Sequence, residues 1–155
     1  MPAQNFDDVG VVDVLLKEKK VTAEDAKNAQ MAFVATGKKA TEWLMEQGKT
    51  TEEDIIMARA AFYNVPFIKI SEAAVSPIAL SYIDQPVAQR FAAMPFDYKP
   101  ESRELWVAMA NPVDLAAIEF LEKRSKLRIK PYAAMPAEVA KAIDSRYEQS
   151  LSGEV

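Results

Sequence analysis

Over the first sixty residues, apolar side chains return at helical spacing, and two positions of strong helix-starting chemistry interrupt them. Thr22 is followed by Glu24 and Asp25, and Thr51 by Glu52, Glu53 and Asp54. In each case the threonine oxygen can accept an orphan N–H of the first turn, and the acids suit the positive helix end. A helix of roughly twelve residues is expected after each cap, the first closing at Gly37 and the second at Asn64 before Pro66. A shorter amphipathic helix precedes each cap, carrying Val11, Val14 and Leu15 in one case and Trp43 and Leu44 in the other.

These segments are copies. Residues 11–33 align without gaps on residues 40–62 at an offset of 29, with eight of 23 positions identical. The identities are Leu15/Leu44, Lys20/Lys49, Thr22/Thr51, Glu24/Glu53, Asp25/Asp54, Ala29/Ala58, Ala32/Ala61 and Phe33/Phe62. Two helix–turn–helix repeats packing as a four-helix bundle are therefore expected over residues 1–63. Met31, Phe33, Trp43, Met57 and Phe62 read as its core, with a hydrophobic docking groove between bundle and sandwich as the alternative, since methionine and aromatics suit adaptable interfaces.

Beyond Pro66 the period shortens. Phe67–Ile70 reads as a strand, and Ser76 with Pro77 opens a helix through Ile78, Leu80 and Ile83. Pro86 starts another helical turn ending near Phe91. Ala93–Tyr98 and Glu104–Met109 read as strands joined by a polar turn. Asp114 caps a helix, Leu127–Tyr132 alternates as a strand, and Pro136–Tyr147 is a final helix. The expected fold class is α+β: the bundle, then a small α/β sandwich of order β-α-β-β-α-β-α over residues 64–148.

Composition narrows the chemistry. The 155 residues contain no cysteine and no histidine, which removes thiol and imidazole catalysis and the usual zinc ligands. The glycines at positions 10, 37, 48 and 153 do not form a phosphate-binding loop. A formal charge of -4 argues against nucleic acid. No run of ~20 apolar residues spans a membrane. Glu52, Glu53 and Asp54 are read as helix-start charge, not metal ligands. The basic run from Lys123 to Lys130 reads as a helix end plus the solvent face of a strand, with an acidic partner or lipid headgroups as the alternative.

The doubled motif, the segment Asn64–Ile70, the segment Leu105–Asp114 and the segment Leu127–Tyr132 resemble the MshEN-type N-terminal domain of type IV pilus assembly and type II secretion ATPases. The resemblance implies a non-catalytic regulatory and docking end of a cytoplasmic motor, peripheral to the inner membrane. Its implied partners are platform or adaptor proteins and an ATPase domain further along the chain, with residues 149–155 beginning the linker to it. Some members of that family bind cyclic di-GMP through a motif used twice with a five-residue spacer. Here its arginine falls on Gly10 and Lys39, its adjacent glycine on Val12 and Thr41, and its closing glutamine on Phe33 and Phe62. Glycine offers no guanidinium to stack or fork, and phenylalanine no amide. No cofactor and no cyclic di-GMP are therefore expected. Lys39, Lys123 and Arg124 are the candidate partner contacts. A cyclic di-GMP sensor with a divergent site and a stand-alone adaptor are the competing readings.

Overall fold

The computed structural model describes the backbone of residues 2–153 and the side chains of residues 7–149. It divides into two compact units, Met1–Asn64 and Val65–Val155.

The first unit is helical: α1 (Pro2–Lys17), α2 (Ala23–Thr36), α3 (Ala40–Glu46) and α4 (Glu52–Phe62). The Thr22 side chain accepts from Asp25 N, while the Asp25 carboxylate accepts from Thr22 N, a complete capping box. Thr51 accepts from Asp54 N. Each cap stabilises its helix by about 1 kcal/mol. Gly37 ends α2 at φ 80°, and Asn64 follows α4 at φ 58°, both in the left-handed region. The short helices end alike. Lys20 N donates to Leu15 O and Lys49 N to Leu44 O, closing Schellman turns around Lys19 (φ 60°) and Gly48 (φ 71°).

The repeats pack more against one another than within themselves. α1 lies against α4 and α2 against α3, so each long contact crosses from one copy to the other, and α1 also meets α3. The seam holds Val11, Val12, Leu15, Val21, Ala29, Ala40, Leu44, Ile55 and Ala58, all buried. The expected core is corrected here. Met31 and Met57 are 59% and 43% exposed, and Phe33, Phe62 and Trp43 are only half-buried. Alanines at 29, 40 and 58 share that seam with Val11, Leu15, Leu44 and Ile55, and Met31 and Met57 lie off this stripe of their helices.

The second unit contains α5 (Pro77–Leu80), α6 (Gln85–Phe91), β1 (Ala93–Lys99), β2 (Glu104–Met109), α7 (Leu115–Ser125), β3 (Arg128–Ala133) and α8 (Pro136–Gly153). The sheet order is β1-β2-β3. β1 and β2 form an antiparallel hairpin, and β2 and β3 run parallel through the α7 crossover. Leu105, Val107 and Met109 are fully buried together with Leu121, Val139 and Ile143, so one sheet face and the helices share a core. Tyr147 fastens α8 by donating to Ile83 O at 2.6 Å, and burial pushes its hydroxyl pKa well above the ordinary value.

Two expectations change. The strand at Phe67–Ile70 reduces to one parallel bridge, Phe67 to Ala133. A 3-10 turn then begins at Ile70, whose side chain drops into the core instead of continuing the ladder. The final helix, expected over Pro136–Tyr147, runs on through Gly153. Nothing between Tyr147 and that glycine breaks a helix, and propagation adds a hydrogen bond per residue. Residues 154–155 lie outside the described residues. No helix of the described residues is long and apolar enough to cross a membrane.

Candidate functional site

Four of the six motif positions in the first unit lie at the ends of the cross-repeat contacts or within the seam, and two of those contacts are closed by the chain itself. Gly10, at the motif arginine of the first copy, meets Phe62, at the closing glutamine of the second. A Cβ added at position 10 would overlap the Phe62 ring. Phe62 also packs edge-on against Tyr63, with ring centroids 5.0 Å apart. One turn earlier on α1, Asp7 accepts from Arg59 Nε at 3.3 Å and from the Tyr63 hydroxyl. This hydrogen bond to a carboxylate raises the tyrosine pKa.

The second closed contact is polar. Asp8 is 2% exposed and receives Ala40 N at 2.7 Å, Thr41 N at 3.3 Å and Thr41 Oγ1 at 2.6 Å. Thr41 stands at the motif glycine of the second copy. Lys39, the N-cap of α3, makes no side-chain cap, so Asp8 does that work from 31 residues earlier in the chain. The buried carboxylate is satisfied by three donors, the condition for keeping a charge out of water.

The remaining positions separate. Val12 is buried in the seam, Phe33 is half-buried on α2, and Lys39 is exposed. Lys123 and Arg124 sit in the last turn of α7 in the second unit. There Lys123 is exposed and Arg124 pairs with Asp84 at 3.3 Å. Among the described residues no group of three acids could hold a metal ion.

Sequence reasoning passed over two features. Asp8 carried no local signal, because its partners are 32 and 33 residues away. On the sheet, the ammonium groups of Lys99 and Lys130 both lie over Trp106, 4.6 and 5.1 Å from its ring centroid. Tyr132 stands beside it at 5.4 Å, and Phe96, at the register shift of β1, closes on both rings. The Trp106 indole donates to Glu104, which lowers that carboxyl's pKa, with Ser102 contributing next. The pairing of Trp106 with Lys130 across β2 and β3 was the one available clue, and it needs the register to be seen.

The MshEN domain family matches residues 63–153. Over 135 residues the chain is 22% identical to the type IV pilus assembly ATPase PilB of Thermus thermophilus, covering 87% of this chain but only 15% of that relative's length. Among solved structures, that of MshE with cdg is similar over 88% of this chain and 97% of its own, with 25% identity and a TM-score of 0.69. The N-terminal domain of XpsE is similar over 89% of this chain and 94% of its own, with 16% identity and a TM-score of 0.54.

Proposed function

This chain belongs to the MshEN domain family, and on that premise we propose that it is the regulatory and docking domain of a pilus or secretion ATPase, without catalysis of its own. The chain spans about 15% of the length of the PilB relative it matches. The proposed setting is the cytoplasmic side of the inner membrane, with platform or adaptor proteins as partners.

The observation that carries the reading is the Gly10–Phe62 contact. The two positions where a nucleotide-reading member would place an arginine and a glutamine are packed on one another as bare backbone and an aromatic ring. Docking is the role left to a scaffold whose ligand-reading positions serve its own packing. Glycine and phenylalanine at these two positions offer neither the planar fork nor the amide that guanine recognition uses.

A second reading, a sensor with a divergent site, is favoured by the likeness to MshE, solved with cdg. Titration of the intact chain with cyclic di-GMP in a calorimeter separates the two. The docking reading expects no binding heat at micromolar to millimolar ligand. Saturable binding in that range would replace it with the sensor reading.

A further inference from the structure

The two repeats are related by a pseudo-two-fold exchange, but one of the two equivalent helix faces is covered and the other is not. α1 begins at Pro2, nine residues ahead of Val11, the counterpart of the first residue of α3. Asp7 to Gly10 of that extra length lie on α4. Asp7 bonds Arg59 and Tyr63, Gly10 receives Phe62, and Ala60 is 3% exposed. The equivalent positions on α2 are Gln30 for Arg59, Met31 for Ala60, Phe33 for Phe62 and Val34 for Tyr63. α3 has no such extension, because residues 37–39 before it are not helical. Met31 is consequently 59% and Val34 76% exposed.

The covered copy shows what fits such a face: a helical segment with a small residue over the phenylalanine. The uncovered copy differs in chemistry. Methionine and valine replace alanine and tyrosine, and Lys27 lies one turn before Met31 on the same face, with Lys38 and Lys39 just past the helix end. Lys38 pairs with Glu46, while Lys27 and Lys39 are exposed.

We infer that the Met31–Val34 face of α2 is the docking surface for an acidic amphipathic helix of a partner protein, seated as residues 7–10 of α1 are seated on α4. Its apolar side covers Met31, Phe33 and Val34, and its carboxylates face Lys27 and Lys39, the helix-on-face mode in which anchors recur every three or four residues. The inference rests on the docking reading above and names the surface and kind of partner it uses.

The test titrates purified cytoplasmic domains of the inner-membrane platform proteins of a type IV pilus and of a type II secretion system into the intact chain. Wild type is compared with Met31→Glu/Val34→Glu, Lys27→Glu/Lys39→Glu and, on the second unit, Lys123→Glu/Arg124→Glu. Thermal melts confirm that each variant is folded. The inference expects at least a tenfold loss of affinity for the first two, an affinity that falls with added salt, no loss for the third, and exchange protection in α2 and in a helical segment of the partner. Loss confined to Lys123→Glu/Arg124→Glu would overturn the surface and leave docking intact. Failure of every platform domain to bind wild type would overturn docking itself. A dimer of the chain by light scattering, abolished by Val34→Glu, would assign the face to a second copy and overturn the partner helix.

Discussion

Lys20 of the first repeat holds its ammonium 3.7 Å from Asp54 of the second, and Lys49 of the second lies 3.7 Å from Asp25 of the first. Residues 20 and 49 are counterparts, as are 25 and 54, so one contact is made twice in opposite senses. This reciprocity is the signature of an isologous arrangement, here inside a single chain. Asp25 also accepts from the Thr22 backbone, the largest cause of its lowered pKa. A carboxyl lowered on folding contributes stability that is present above its ordinary value and lost as pH falls through the folded one. Helix content should therefore hold steady from neutral pH to about pH 5 and begin to fall near pH 4, and Asp25→Asn should flatten that part of the curve. Circular dichroism against pH checks it.

Gly10 reverses the usual ranking of glycine and alanine. Inside an exposed helix Gly→Ala gains up to about 1 kcal/mol. At this position the new methyl meets the Phe62 ring, and Gly10→Ala should instead cost about 1–3 kcal/mol. In a Phe62→Ala background the same substitution should become neutral or favourable. Urea denaturation of the four proteins of this cycle gives the coupling. Equal costs in both backgrounds would remove the contact from the account.

Where the repeats differ, each copy suggests an improvement to the other. Thr50 is 9% exposed, and its hydroxyl has no hydrogen-bond partner among the described residues. Its counterpart Val21 fills the same place with a methyl. Thr50→Val should raise stability by about 1 kcal/mol, the desolvation cost of an orphaned hydroxyl, visible as a higher melting temperature.

Lys19 occupies a left-handed conformation that Gly48 occupies in the second copy. Relief of the side-chain strain exceeds the added freedom of the unfolded chain, so Lys19→Gly should stabilise by about 0.5–1 kcal/mol. Asn at the same position should fall between the two in a series of thermal melts.

In the second unit, Tyr147→Phe would leave Ile83 O without its donor inside the core. The expected cost is about 1–2 kcal/mol, with the fold unchanged by far-ultraviolet dichroism. A silent substitution would mean that the α8 contact rests on packing alone.

Much of this architecture was legible because its signals are local. The caps at Thr22 and Thr51, the stops at Gly37 and Asn64, and the hairpin between β1 and β2 each depend on a few consecutive residues. The segment at Phe67–Ile70 was misread because a short apolar run looks the same whether it extends a sheet or turns into a core. Met31 was misread because helical spacing identifies a face without saying what covers it.

The sequence by itself determined the repeat, the two-part α+β organisation and the absence of thiol, imidazole and phosphate-loop chemistry. Only the tertiary structure decided that the repeats pack across one another, that Asp8 caps a helix more than thirty residues away, and that Phe62 closes over Gly10. The physical reason is range. Capping and periodicity act within a turn or two of helix, whereas the pairing of faces is set by which distant surfaces exclude water from each other, and no single segment carries that information.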